Sequence, residues 1–183
     1  SGTITVDAAD DGIRGKDYVV VDGSAVTVDA AGDGVKSDND EDEGRGQVAV
    51  VSGSLTVSAG DDGVKGETSV TVSGGTVLVT RAYEGLEAAT VTIDGGTVGV
   101  TTSDDGLNGS ALVINGGDTT VDALGDGIDI NGSITMTGGT VTVVGPTENM
   151  NGPIDYDGTF DISGGTIVAT GSAGMAMAPS QSS

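Results

Sequence analysis

Acidic residues that directly precede a glycine recur along the chain and form the first candidate site. Each belongs to a pattern in which a glycine follows a valine by six residues, with the acid just before the glycine and an aliphatic residue just after it. The segment V-S-A-G-D-D-G-V at 57–64 is a typical copy. The acids of the six clear copies are Asp11, Asp33, Asp62, Glu84, Asp105 and Asp126.

Carboxylates at equivalent positions of a repeat repel one another unless a cation or hydrogen bonds intervene. The chain contains neither His nor Cys. Oxygen ligands alone favour a hard cation, and Ca²⁺ tolerates irregular geometry better than Mg²⁺ does. The sequence therefore predicts Ca²⁺ at these turns, with Asp61 and Asp104 as further ligands. The alternative is that each acid accepts backbone N–H bonds in its own turn, the common role of Asp before Gly.

One repeat carries an acidic insertion. The steps between successive repeat glycines are 22, 29, 22, 21 and 21 residues, and we place the extra residues in a loop at 38–45. Insertions into a repeat commonly form loops on the binding face. Asp38, Asp40 and Asp42 are spaced as in the first half of an EF-hand loop, but the later residues of that motif do not match. The loop is therefore not an EF-hand. It either binds Ca²⁺ with help from Asp33 or Asp62 of adjoining repeats, or it is a solvated acidic loop.

The elements that must position these acids are short β-strands. The segment T-I-T-V at 3–6 alternates outward and inward residues, which is the period of a strand, and equivalents recur before each acid. A second strand follows each acidic turn, and a glycine or glycine pair then turns the chain back. A fixed period of this length is typical of a solenoid. The sequence predicts an all-β fold, a right-handed parallel β-helix of about seven to eight coils with a repeat of 21–22 residues.

The repeats also predict the domain organisation. We expect one β-helix domain at 1–170, followed at 171–183 by a final turn and a linker-like tail rich in Ser, Ala and Met. Val143 opens a seventh, degenerate copy in which Glu148 and Asn149 replace the acid and the glycine. Because Ser1 opens directly on a strand, we expect the chain to lack coils that precede it.

Composition excludes several classes of partner. The 183 residues include 6 basic and 28 acidic ones, for a formal net charge of −22. This charge opposes binding to nucleic acid and to anionic membrane surfaces. No apolar run is long enough to span a membrane, so membrane insertion is not expected. Without Cys there are no disulfides and no thiolate metal sites, which is compatible with a secreted bacterial protein.

Three segments carry a resemblance to a known family. They are D-D-G-I-R-G-K-D-Y at 10–18, G-D-G-V-K-S-D-N-D-E-D at 32–42 and G-S-A-G-M-A-M-A-P-S at 171–180. The chain resembles a bacterial carbohydrate-binding β-helix family, first described in clostridial cellulose degraders and similar in fold to pectate and other polysaccharide lyases. The resemblance implies a calcium-binding protein, extracellular or on the bacterial cell surface. It also implies an acidic or cellulosic polysaccharide as the partner.

The basic residues suggest how an acidic glycan could be held. Arg14, Lys36 and Lys65 each lie three residues after a repeat acid. A row of such side chains beside bound Ca²⁺ could bind a uronic-acid polymer by charge and by bidentate contacts. Alternatively, the three residues form ion pairs with neighbouring acids. We name them as candidate carbohydrate-binding residues, and we predict no catalytic residue.

Several functions remain open. The first is a non-catalytic, Ca²⁺-dependent polysaccharide-binding module. The second is a structural protein whose solenoids stack head to tail into an extracellular fibre through unpaired strand edges. The third is a polysaccharide lyase in which Arg14 or Lys36 abstracts a proton beside Ca²⁺. A fourth idea, ice binding, rests on outward threonine pairs such as Thr140 and Thr142. Other residues interrupt that array: Leu78, Gly99 and Asp118.

Overall fold

The chain folds as stacked coils of short β-strands. The computed structural model describes residues 2–175 and 177–180, and within them it contains strands and turns but no helix. In chain order the strands are β1 (Thr3–Ala8), β2 (Ile13–Gly15), β3 (Tyr18–Val21), β4 (Ser24–Ala30), β5 (Val35–Ser37), β6 (Gln47–Val50), β7 (Gly53–Ser58), β8 (Val64–Val72), β9 (Thr76–Arg81), β10 (Glu84–Ile93), β11 (Thr97–Val100), β12 (Asp105–Ile114), β13 (Asp118–Asp122), β14 (Ile128–Met136), β15 (Thr140–Val144), β16 (Asp155–Tyr156), β17 (Phe160–Ile162) and β18 (Thr166–Thr170). The described residues accordingly include no helix that could cross a bilayer.

The strands form two parallel sheets. The first sheet has the order β1-β4-β7-β9-β11-β13-β15-β18. The second has the order β2-β5-β8-β10-β12-β14-β16, and β3, β6 and β17 extend it along the same coils. Each coil gives one strand to the first sheet and, after the acidic turn, one or two strands to the second. The eight strands of the first sheet correspond to about eight turns, which confirms the predicted parallel solenoid. Its right-handed sense stays a prediction.

The register places like residues on like residues. Val28, Val57 and Val79 are direct neighbours in β4, β7 and β9, at the ~4.8 Å spacing of paired strands. Each is at most 1% exposed. Columns of this kind from both sheets make one continuous aliphatic core, which Phe160 and Tyr156 complete in the last coil with their rings edge to face. Stacked aliphatic columns therefore fill the interior although only 2% of the residues are aromatic.

Two glycine columns define the corners of each coil. At Gly63, in the acidic turn, a Cβ would lie 2.6 Å from the carbonyl oxygen of Gly85 in the next coil. At Gly96, in the opposite corner, φ is +80° and a Cβ would lie 2.6 Å from the carbonyl oxygen of Gly75. The first corner requires glycine because the backbones of two coils approach closely there. The second corner requires it for the same reason and also because its backbone is left-handed.

Two repeats depart from the regular coil. The predicted loop at 38–45 lies between β5 and β6, and β6 then adds Val48 and Val50 to the core, in register with Val70 and Val72 of β8. The prediction of a seventh acidic turn at Glu148–Asn149 is wrong. The N–H of Gly127 donates to the carbonyl of Gly152 at 3.2 Å, so Gly152–Pro153 occupies that turn. The intervening residues loop out between β15 and β16.

The described part of the tail lies against the last coil. The Ser180 N–H donates to the Phe160 carbonyl at 2.9 Å, and the Ser180 hydroxyl accepts the Phe160 N–H at 2.7 Å. The Tyr156 hydroxyl donates to the Ala178 carbonyl at 2.7 Å. The predicted boundary between the domain at 1–170 and the tail at 171–183 stays a prediction, and residues 1, 176 and 181–183 lie outside the described residues.

Substitution of Val57 by Asp tests the register of the core. Val57 is 0% exposed, so Val57→Asp buries a carboxylate without a partner and should lower the free energy of unfolding by about 5 kcal/mol. Thr56→Asp, on the outward side of the same strand, is the control and should stay folded. Thermal melting followed by circular dichroism measures both. An unchanged melting temperature for Val57→Asp would show that this residue does not face the interior.

Candidate functional site

The repeat acids form one continuous ladder along the solenoid. We call the following residues the acid ladder: Asp11, Asp33, Asp62, Glu84, Asp105 and Asp126. A carboxylate oxygen of one member often accepts the backbone N–H of the next member. Asp11 accepts from Asp33 at 3.1 Å, Asp33 from Asp62 at 3.1 Å, and Asp105 from Asp126 at 2.6 Å. These acids thus join successive coils, so the hydrogen-bonding role is real but crosses between coils instead of closing a single turn.

A neighbouring column decides how the ladder charge is balanced. Its members follow the acidic turn by three residues and pair in register through the second sheet. We call the following residues the companion column: Arg14, Lys36, Lys65, Glu87, Asn108, Asp129 and Asp155. The column starts with three cations and continues with carboxylates and one amide. The two halves of the solenoid therefore differ in electrostatics although the backbone repeats.

In the first half, lysines of the companion column neutralise the ladder. Lys36 Nζ lies 2.6 Å from Asp33 and 3.5 Å from Asp11. Lys65 Nζ lies 2.6 Å from Asp62 and also pairs with Glu87 of the next coil. The hydrogen bond to Asp33 raises the pKa of Lys36. Burial lowers the pKa of Lys65, but its hydrogen bonds to two carboxylates outweigh that effect and the net shift is upward. The ion-pair alternative thus describes both lysines.

In the second half of the solenoid, from Glu84 onward, the carboxylates of the ladder lie next to further carboxylates. Burial, together with the nearby carboxylates of Glu87 and Asp62, raises the pKa of Glu84 to about 8. Burial raises the pKa of Asp105 to about 6 and is also the main cause of a raised pKa at Asp129. Carboxylates that are both desolvated and surrounded by like charge are poorly stabilised as anions. A bound cation would relieve both effects.

Glu84 is the ladder member whose carboxylate is least balanced by hydrogen bonds and ion pairs within the chain. Its Oε1 accepts a hydrogen bond from Asn108 Nδ2 at 3.0 Å. Its Oε2 is buried without a hydrogen-bond partner among the described residues. Glutamate is one methylene longer than the aspartates above and below it, so its carboxylate extends toward the companion column. The Oε2 atom of Glu84 is thus available to bind a cation.

Two groups of carboxylates converge closely enough to share an ion. Within each group, one oxygen per residue lies within 4.8 Å of the others, and two ligands of a Ca²⁺ ion can be this far apart because each Ca–O distance is ~2.3–2.6 Å. The groups are Asp33, Asp61 and Asp62, and Asp62, Glu84 and Glu87. The first includes Asp61, which is exposed. Lysines of the companion column already contact both groups, so an ion would bind next to an ammonium group or displace it. Asp104 is exposed and belongs to neither group.

The acids of the insertion face different partners. Asp38 pairs with Arg14, Asp42 accepts a hydrogen bond from Asn39 Nδ2 at 3.1 Å, and Asp40 is exposed. Asn39, only 1% exposed, organises the loop because its Oδ1 accepts the N–H groups of Glu41 and Asp42, each at 3.0 Å. In the described part of the chain the three loop acids belong to neither carboxylate group. Their predicted role in Ca²⁺ binding therefore has no preformed cluster to support it.

A groove of about 290 Å³ runs along the companion column. It is lined by residues of four coils, and its buried residues are Gly66, Ala88 and Gly109, so no long side chain fills it. The remaining lining residues are Lys65, Glu67, Glu87, Ala89, Asn108, Ser110 and Asn131. Amides, carboxylates and a hydroxyl are suited to hydrogen bonding with the hydroxyl groups of a sugar chain.

Sequence reasoning missed several carboxylates of this edge, namely Glu87, Asp129 and Asp155. For Glu87 and Asp129 the available signal was their position three residues after an acidic turn, in the column that begins with Arg14. Asp155 joins that column only because Gly152–Pro153 occupies the preceding turn. Spacing alone does not show that Glu87 lies next to Asp62 of the preceding coil. That proximity depends on side-chain reach between coils.

These features define a parallel β-solenoid with a carboxylate-rich edge and a polar groove beside it. A family model described as "Carbohydrate-binding domain-containing protein" matches residues 1–145, and the chain belongs to this family. The match confirms the resemblance to a carbohydrate-binding β-helix family and supports a glycan as the partner. No curated protein and no solved structure matches the chain.

The raised pKa of Glu84 predicts an unusual pH dependence of stability. Because the folded state holds a proton on Glu84 from the ordinary value of 4.5 up to about 8, it binds more protons than the unfolded state in that range. The free energy of unfolding should therefore fall as pH rises through it. In EDTA, Glu84→Gln should lose less melting temperature than the parent between pH 5 and about pH 9. Glu67→Gln, at an exposed neighbouring position, is the control. Parallel curves for parent and Glu84→Gln would contradict the assignment.

Proposed function

We propose that this chain is a non-catalytic module that binds acidic polysaccharide through Ca²⁺ held at the second half of the acid ladder. The observation that supports this most is the change of the companion column from cations to carboxylates after Lys65. Up to that residue, the chain's own ammonium groups balance the ladder. Beyond it, Glu84, Asp105 and Asp126 meet further carboxylates. Family membership supplies the carbohydrate part of the proposal.

Calcium is the cation that suits this edge. All the candidate ligands are oxygen atoms, and the carboxylates of Glu84, Asp105 and Asp126 are half-buried. Ca²⁺ accepts six to eight oxygen ligands in flexible geometry, whereas Mg²⁺ requires a near-octahedral site. The net charge of −22 adds a general attraction for cations. A Ca²⁺ ion would also satisfy the unpartnered oxygen of Glu84.

An acidic glycan would need that cation as a bridge. The groove beside the companion column contains Glu67 and Glu87, which would repel uronate groups. Its one basic residue, Lys65, already bonds two carboxylates. Ca²⁺ that binds carboxylates of both partners removes the repulsion, so retention of the glycan should depend on the ion. Direct uronate contacts from Arg14, Lys36 and Lys65 stay a prediction, and Arg14, with a side chain 61% exposed, is the freest of the three.

A cellulosic ligand is supported less well. Flat binding of crystalline cellulose uses exposed aromatic rings on which sugars stack, and the chain has only Tyr18, Tyr83 and Tyr156 besides one phenylalanine. Tyr156 is 8% exposed and packs on Phe160. Arg45 lies over the ring of Tyr18. A hydrogen-bonded chain in the groove fits the polar lining better.

The lyase alternative conflicts with the state of the candidate bases. A general base must be unprotonated at the working pH. The hydrogen bond to Asp33 raises the pKa of Lys36, and that to Asp38 raises the pKa of Arg14. Both side chains are therefore held in the charged form. Calcium-dependent binding of a polysaccharide also fits an extracellular or cell-surface location, because extracellular modules typically have weak Ca²⁺ sites.

The first test is retention on polygalacturonate in Ca²⁺ and in EDTA at matched ionic strength. The parent should be retained only with Ca²⁺. Ca²⁺ should also stabilise the fold, by about 2.7 kcal/mol at one hundred times its Kd if it binds only the folded state. Ca²⁺-independent retention, together with identical melting curves in Ca²⁺ and EDTA, would contradict the proposal.

Paired substitutions locate the ion. Glu84→Gln with Glu87→Gln removes two carboxylates of the group that they form with Asp62. The amide that replaces the Glu84 carboxylate keeps an oxygen that can accept the hydrogen bond from Asn108 Nδ2. Both Ca²⁺ stabilisation and retention should weaken. Asp7→Asn with Asp29→Asn makes the same charge change at exposed, paired positions of the first sheet and should behave like the parent. If Asp38→Asn with Asp40→Asn abolishes the calcium effect instead, the ion is in the insertion loop.

Head-to-tail association is a second candidate, and one observation favours it. The strand β18 pairs with β15 on one side, and the described residues after it cross to the second sheet and leave the other edge of β18 unpaired. An unpaired parallel edge can accept a strand of another chain. Electron microscopy of the parent, with and without Ca²⁺, should show discrete particles under the module proposal. Regular filaments would favour the fibre.

A further inference from the structure

The outward face of the first sheet is built mainly from threonine. Two columns of outward residues pair in register through all eight strands. Some strands have a third outward residue, which in β1, β4 and β13 is an aspartate. We call the following residues the threonine face: Thr3, Ala25, Ser54, Thr76, Thr97, Asp118, Thr140 and Thr166 in one column, and Thr5, Thr27, Thr56, Leu78, Gly99, Thr120, Thr142 and Val168 in the other. Threonine occupies ten of these sixteen positions.

The residues that interrupt the threonine columns do not disturb the flatness of the face. Within the two columns the pairing contains no bulge, and the one register shift of this sheet falls after Val57, beyond them. A Cβ on Gly99 would lie 3.1 Å from Cδ1 of Leu78, so the leucine side chain covers the space beside the glycine. Ala25 and Val168 also present methyl groups. Only Asp118 introduces a chemically different group.

The face is almost free of charge on a strongly acidic chain. Of the 6 basic and 28 acidic residues, Asp118 alone belongs to the two columns. The exposed carboxylates of Asp7, Asp29 and Asp122 lie at the margin of the face, two residues beyond the second column. The exposed tyrosines, Tyr18 and Tyr83, lie elsewhere. The face therefore offers neither ion pairs for a uronate polymer nor rings for sugar stacking. It presents rigid hydroxyl and methyl groups, because the β-branched threonine side chain has a restricted χ1.

We propose that the threonine face binds ice. Neighbouring strands hold equivalent threonines ~4.8 Å apart, and alternate residues along a strand are separated by ~6.7 Å, twice the rise per residue. The hydroxyls and methyls thus form a two-dimensional array whose spacings are close to those of water oxygens in an ice surface. Rigid side chains lose little conformational entropy when they bind to an ice surface. The ice lattice carries no net charge, so the uncharged threonine columns are suited to it. This activity is independent of the glycan proposal, since the face lies on the opposite sheet from the groove.

The experiment compares two triple variants that differ only in the face they alter. Thr76→Lys/Thr97→Lys/Thr140→Lys alters the threonine face. Thr71→Lys/Thr92→Lys/Thr135→Lys alters the outward side of the second sheet, in each case one coil earlier, with the same gap of one coil. Each variant adds three positive charges. The measurements are the partition of protein into a slowly grown ice hemisphere and the rate of ice recrystallisation, both in EDTA.

The parent and the second-sheet variant should enrich in the ice and slow recrystallisation, whereas the threonine-face variant should be excluded like an inert solute. Exclusion of the parent from ice would overturn the proposal, as would equal enrichment of all three proteins. Binding of the parent to microcrystalline cellulose through this face, without ice enrichment, would also overturn it and would identify a glycan surface instead. Melting curves check folding. If the triple variant unfolds, Thr97→Lys alone replaces it and should still lower the enrichment.

Discussion

Every coil of this protein must place each residue on its equivalent in the next coil. In-register parallel strands hold equivalent positions ~4.8 Å apart, so any property of one residue is repeated along the axis. For aliphatic residues the consequence is favourable, because Val28, Val57 and Val79 bury one another at ~25 cal/mol for each Å² of apolar surface removed from water. For the turn glycines the same constraint demands a bare Cα where the backbones of two coils meet.

For carboxylates the constraint is unfavourable, and the two halves of the solenoid resolve it differently. In the first half, Asp11 and Asp33 each use one oxygen for the N–H of the next coil and the other for Lys36. In the second half, no lysine follows, and burial with like charge raises the pKa of Glu84 and Asp105. The first half thus contains its own counter-charges, although burial and Glu87 still raise the pKa of Asp62 to about 6. The second half keeps an electrostatic cost that an external cation would remove, which is why we place the functional edge there.

The same stacking rule separates charged from neutral surfaces. The acidic turns lie on one edge, whereas the two columns of the threonine face carry hydroxyl and methyl groups with a single charge at Asp118. Asp7, Asp29 and Asp122 are exposed at the next outward position of the same sheet. A repeat protein can dedicate whole faces to different chemistry in this way, since one position of the repeat determines one column. The insertion at 38–45 changes the shape of the acidic edge only, and Asn39 joins it to Lys16 and Asp17 of the first coil by hydrogen bonds.

The sequence by itself determined the solenoid, its parallel sheets, the inward aliphatic columns and the identity of the ladder acids, because all of these follow from backbone periodicity. It also located the insertion, since a longer step is visible as a break in the period. It misplaced the last acidic turn at Glu148–Asn149, where a longer loop brings Gly152–Pro153 into position. Only the tertiary structure decided which charges meet. That Lys65 joins Asp62 to Glu87, that Glu84 keeps an unpartnered oxygen and that Asp38 turns to Arg14 all depend on side-chain reach between coils. Periodicity fixes where each Cα lies but not how far each side chain extends, and the charge balance of the site depends on that extension.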